Sequence, residues 1–181
     1  MKKNSTDNEE VIDFDNCIKS LYEDSTVQLM SDFPHHLGRT CMDHSLFVSY
    51  VSYLVTRKLG WDYVSAARGG LLHDLFLYDW RTEECREGWH GTEHPKIALE
   101  NARELCAEKE GETKLNSLEK DIILKHMWPL TFKKPSFKES FVVCIADKVC
   151  ALVELSMFYK LLKFKHTNSR IVKKQIVYNL N

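Results

Sequence analysis

Apolar positions recur every three or four residues along most of this chain, and strict alternation is rare, which predicts helices joined by short turns rather than a sheet. An acidic opening from Asp7 to Asp24 is expected to become helical near Val11 and to end around Phe33-Pro34. A second helix is predicted from Asp43, placed to cap it, to Leu59, with Gly60 as its stop. Asp62 can cap a third, which carries Val64, Ala67, Leu71 and Leu75. From Tyr78 to Glu93 the period is lost, and Trp80, Arg81, Gly88, Trp89 and Gly91 read as a long loop of the kind that is usually functional or mobile.

Pro95 suits the first turn of a helix running through Ala107, with Ala98, Leu99, Ala102 and Leu105 inward. Gly111 breaks the chain before a helix from Ser117 to Met127, which Pro129 stops. Pro135 and Ser136 precede a longer helix to Lys163, and a last one is expected from Ser169 to Leu180. The fold class is therefore all-α: one domain over 1–181, a helical bundle of about six to eight helices.

Composition narrows the partners. Lys plus Arg number 25 against 26 for Asp plus Glu, a net charge of −1, so there is no electrostatic case for nucleic acid or an acidic membrane as the main partner. The cysteines (Cys17, Cys41, Cys85, Cys106, Cys144, Cys150) form no C-x-x-C pair and read as reduced thiols. No apolar run follows the opening Met1-Lys2-Lys3, and no stretch approaches the ~20 apolar residues of a membrane span, so a cytoplasmic location is expected. Beyond residue 160 the charges are all basic (Lys160, Lys163, Lys165, Arg170, Lys173, Lys174), yet Ile171, Val172, Ile176 and Val177 give that segment an ordinary core stripe. A solvated face of terminal helices is the plainer reading there.

The candidate chemistry lies in His44, the adjacent pair His73-Asp74, His94, His126 and Asp147. His44 shares a helical face with Phe47, Val48, Val51 and Val55, and Asp147 lines up with Val143, Cys144, Ala151 and Glu154. A carboxylate buried without a cation or hydrogen-bond partner is costly, so something positive belongs beside Asp147. His73 and Asp74 project roughly 100° apart on one helix and can lean into one site. His94 stands at a helix entrance before Pro95, and His126 follows Ile122 and Ile123 just before a stop. Imidazole nitrogens and carboxylate oxygens gathered from separate helices are what a pair of first-row divalent metals needs.

With these residues in the order H…HD…H…H…D, the chain resembles the HD-domain superfamily of metal-dependent phosphohydrolases over roughly Arg39 to Glu154. The segments His44-Ser45-Leu46, Gly70-Leu71-Leu72-His73-Asp74, His94-Pro95-Lys96-Ile97-Ala98, Ile122 to Pro129 and Ala146-Asp147-Lys148 look like its successive motifs, and the last four also resemble a group of largely uncharacterised bacterial HD proteins. The resemblance implies two divalent metal ions (Fe, Mn, Co, Ni or Zn): His44, His73 and Asp147 on the first, His94 and His126 on the second, and Asp74 bridging them as the catalytic centre. It implies a hydrolase in which metal-activated water cleaves a phosphoester or phosphoanhydride of a small metabolite, a nucleotide or dinucleotide being favoured.

Arg81, Lys125 and Lys148 are the candidates for binding such a substrate, each equally readable as a surface charge. Trp80, Trp89 and Trp128 can line a nucleobase pocket or pack around the core. The apolar run Leu75-Phe76-Leu77 after the His-Asp pair departs from both cyclic-dinucleotide phosphodiesterases and diiron oxygenases, and the absence of a glycine-tyrosine-proline signature argues against a cyclic di-guanylate substrate. A diiron oxygenase on the same six positions, or a regulatory protein that keeps metal without turnover, are the alternatives.

Overall fold

Capping residues mark where several of the helices of this chain begin. In the computed structural model, which describes residues 6–35, 39–81, 88–107, 114–155 and 169–172, the helices are α1 (Thr6–Tyr22), α2 (Ser25–Gln28), α3 (Cys41–Lys58), α4 (Tyr63–Leu72), α5 (His90–Ala107), α6 (Ser117–Lys125) and α7 (Lys138–Leu155). The fold is all-α: among the described residues the one strand-like feature is an isolated bridge between Pro34 and Thr40. No helix among them is long and apolar enough to cross a membrane.

Several boundaries differ from the sequence expectation. The first helix stops at Tyr22 instead of running to Phe33, because Asp24 accepts a bond from the Thr26 amide (2.9 Å) and starts the short α2, followed by a 3-10 turn at Leu29–Ser31. The cap of α3 is Thr40, not Asp43. Thr40 Oγ1 accepts from the Asp43 amide (3.1 Å) and Asp43 Oδ2 accepts from the Thr40 amide (3.0 Å), a reciprocal box. Asp62 caps α4 as expected, but Val64 and Val55, expected inward, are exposed. Gly60 does end α3, with a φ of +67° that few other residues tolerate.

α5 begins at His90, a full turn before Pro95, so the loop after Tyr78 is shorter than predicted. α6 has its own box between Asn116 and Glu119 and ends at Lys125. The break at Gly111, the extension of α7 to Lys163 and the last helix beyond Val172 lie outside the described residues.

Two apolar clusters fill the interior. Phe14, Ile18 and Leu21 of α1 pack with Leu46, Tyr53, Leu71, Leu72, Phe76 and Leu99, while Val48 and Ala66 pack with Ile122 and with Val143, Ala146 and Cys150 of α7. α4 is the shared central element, and its Gly69-Gly70 pair is what lets neighbours approach. A Cβ on Gly70 would lie 2.9 Å from the Ser49 Cα, and one on Gly69 would lie 2.8 Å from the Ile122 Cδ1. Ser49 Oγ also donates to the Ala67 carbonyl at 2.6 Å across the same contact. Since the Ser49 backbone cannot rotate away, Gly70→Ala is expected to destabilise the fold by about 1–3 kcal/mol, measurable by urea unfolding. A buried Arg68–Glu119 ion pair and a bond from Asn116 Nδ2 to Ser65 Oγ (2.8 Å) join α4 to α6. The packing therefore brings the start of α3 and the C-terminal ends of α4 and α6 to one place.

Candidate metal centre

That place holds all six residues singled out in the sequence. His73 is the C-cap of α4 and His126 the C-cap of α6, so two helix ends, where carbonyl dipoles favour positive charge, each present a histidine. Asp74 lies just beyond α4, not within it. Its position is fixed by the Phe76 amide donating to its carbonyl (2.7 Å) and by the Cys41 thiol donating to the same oxygen (2.9 Å). His44 comes from the first turn of α3, His94 from α5 and Asp147 from the middle of α7.

Asp74 is the hub. Its Oδ1 lies 3.3 Å from His94 Nε2 and 3.4 Å from His126 Nε2. Its Oδ2 lies 3.4 Å from His73 Nε2 and 4.0 Å from His44 Nε2. Asp147 Oδ1 stands 3.1 Å from His44 Nε2 and 3.8 Å from His73 Nε2. The two oxygens of one carboxylate thus face two different sets of imidazoles.

The histidines are oriented from behind. Nδ1 of His73, His94 and His126 each sits 2.8 Å from a backbone carbonyl, of Gly70, His90 and Ile123 respectively. Donation from Nδ1–H to these carbonyls leaves each Nε2 lone pair aimed inward. His94 Nε2 and His126 Nε2 then meet at 2.8 Å, a contact of two lone pairs that needs a shared cation or proton. The buried His73 Nε2 and Asp74 Oδ1 have no hydrogen-bond partner. These are the marks of a donor set built for a metal, and the buried His and Asp groups here can hold one: His44, His73 and Asp147, and likewise His73, Asp74 and His126, have ligand atoms within 4.8 Å of one another.

Electrostatics follow from the same contacts. Burial alone would depress His44, but Asp147 and Glu154 outweigh it and push its pKa up to about 10. Burial, reinforced by the charge on His73, pushes His126 down to about 3. Burial opposes ionisation of Asp74 and Asp147, yet the surrounding imidazoles hold both carboxyls well below their ordinary range. A cation at His44 must displace a proton, so metal affinity is expected to fall as pH falls.

Sequence reasoning missed three participants. Glu154 Oε2 accepts from His44 Nδ1 at 2.9 Å, the carboxylate behind a histidine that fixes its tautomer. Glu154→Gln is expected to weaken metal binding about 10- to 100-fold with little change in fold, measurable by calorimetric titration. His90, read as loop, lies one turn before His94 and stacks on it at 4.7 Å, and Trp80 stacks on His90 at 5.4 Å. His35 stacks on His44 at 4.1 Å and places Nε2 3.2 Å from Asp74 Oδ2. The signal for His90 was its i,i+4 spacing from His94. His35 has none beyond its type, because it sits in an aperiodic loop.

The three basic candidates separate. Lys148 Nζ reaches both Asp147 Oδ2 (3.1 Å) and the His126 carbonyl (2.6 Å), at the edge of the cluster. Lys125 is instead held by Asp121 and Ser136. Arg81 forms a two-pronged pair with Asp79 in its own turn, at 3.0 Å on each prong, and is largely exposed. Trp128 packs on Phe141, and Trp89 is exposed. No family model, curated protein or solved structure matches this chain.

Proposed function

We propose that this protein is a metal-dependent phosphohydrolase whose centre holds two divalent cations bridged by Asp74. The observation that carries this reading is the division of the Asp74 oxygens: Oδ1 toward His94 and His126, Oδ2 toward His44 and His73. The resemblance to the HD-domain superfamily supports the same assignment, and with it a nucleotide or dinucleotide as the preferred substrate class. Nitrogen and carboxylate donors suit Fe, Mn, Co, Ni or Zn alike.

Two such cations, when bound, neutralise charge on a phosphoryl group and acidify water enough for attack near neutral pH. The chain's own residues supply the rest. Asp74 and Asp147 contribute two negative charges to a buried cluster, which offsets the cost of placing cations there. Carbonyl-anchored imidazoles keep the donor atoms in place without reorganisation. The most exposed of these side chains are on α7: Lys148 is 40% exposed and Asp147 12%, whereas His44 and His73 are sealed. A phosphate entering there meets the Lys148 ammonium, which adds positive charge opposite the developing negative charge.

The test is a hydrolysis screen with added Mn2+ or Co2+ over nucleotides, dinucleoside polyphosphates and small phosphomonoesters, products resolved by chromatography. Metal-dependent cleavage is expected. Absence of cleavage of every compound by protein shown to hold both cations would overturn the hydrolase reading.

A further inference from the structure

We infer that His35 is a further ligand of this centre, on the Asp74 Oδ2 side; the inference rests on the metal-centre reading above. Its ring lies nearly parallel to that of His44, 17° apart at 4.1 Å, so the Nε2 edges of both point at Asp74 Oδ2, at 3.2 and 4.0 Å. His35, His44 and Asp74 form a third group whose ligand atoms fall within 4.8 Å of one another.

The loop is built to hold it there. The His35 amide donates to the Arg39 carbonyl (2.7 Å), and the Cys41 amide donates to the Phe33 carbonyl (2.9 Å), which pins His35 to the first turn of the helix that carries His44. Only 9% of its side chain is exposed. Such anchoring makes ligation cheap in conformational entropy, as preorganised donors require.

The consequence is an asymmetric centre. The Oδ2 side gains nitrogens from His35, His44 and His73 with oxygens from Asp74 and Asp147, whereas among the described residues the Oδ1 side has His94, His126 and Asp74. The Oδ2 side is nearly filled by protein. Positions that can exchange water for a phosphate oxygen then belong to the Oδ1 side, which Lys148 borders through the His126 carbonyl while its second bond reaches Asp147 on the Oδ2 side.

The experiment uses Co2+-loaded full-length protein. Each ligated histidine gives one hyperfine-shifted exchangeable imidazole N–H resonance, so the wild type should show one from each of His35, His44, His73, His94 and His126. His35→Gln, which keeps an N–H donor for Asp74, should lose one resonance and bind Co2+ at the tighter site at least about tenfold more weakly. His35→Ala should behave in the same way, with circular dichroism of the unloaded variants as the folding control. If the wild type shows shifted resonances and His35→Gln retains every one of them at unchanged affinity, His35 is only a hydrogen-bond partner and the inference fails while the centre stands. A wild type with no shifted resonance overturns the metal centre and this inference together.

Discussion

Asp74→Ala should lose both cations at once and, with them, all metal-dependent turnover. Among the described residues Asp74 is the carboxylate between the two sets of imidazoles: His94 and His126 lie nearest Oδ1, and His44 and His73 nearest Oδ2. Removing the carboxylate therefore takes one ligand from each cation, and also takes away a buried negative charge that offsets their mutual repulsion. Loss of several kcal/mol of charge stabilisation corresponds to a drop in rate on the order of a thousandfold or more. His126→Ala, by contrast, should mainly weaken the Oδ1 side and leave a protein with one cation. Elemental analysis of both variants, with hydrolysis followed alongside, separates the two outcomes. Equal metal content in both would refute the bridging role.

Metal loading should also produce a large thermal shift. A ligand that binds only the folded chain stabilises it by about 2.7 kcal/mol at a hundredfold excess over its dissociation constant, so two sites give roughly 5 kcal/mol. For a chain of this size each kcal/mol moves the melting midpoint by about 2–4 °C, so saturation with Mn2+ or Co2+ should raise it on the order of 10 to 20 °C. A chelator should reverse the shift, and Asp74→Ala should show none. The shift should shrink as pH falls. His44, raised to about 10 by Asp147 and Glu154 against the effect of burial, carries a proton throughout the neutral range, and a cation competes with it progressively less well as protons become more abundant. A midpoint that metal leaves unmoved at neutral pH would contradict a cation-binding cluster.

The helices were legible because burial imposes their period directly on the sequence. Their ends were less so. Asp43 looks like a cap when read alone, and only the Thr40 side chain bonding the Asp43 amide shows that the cap lies three residues earlier. The start of α5 was hidden in the same way, because Trp89, His90 and Gly91 carry no apolar period, although His90 shares a face with His94.

Of the site, the histidines and aspartates at helix ends and on inward faces were readable, since a polar residue in an apolar stripe calls for a partner. The three basic candidates were chosen by proximity in sequence, and proximity in sequence does not fix direction. Lys148 turns to the cluster, whereas Lys125 is drawn to Asp121 four residues earlier in its own helix, and Arg81 to Asp79. His35 and Glu154 were out of reach, because their roles depend on contacts across 39 and 110 positions of chain.

The most direct test of the bridged centre is a Mn2+ titration of the wild-type protein followed by electron paramagnetic resonance. The account predicts that two equivalents bind per chain and that the second converts the isolated-ion signal into one from an exchange-coupled pair, as a shared Asp74 carboxylate requires. Binding of a single equivalent, or of two ions that remain uncoupled, would contradict it.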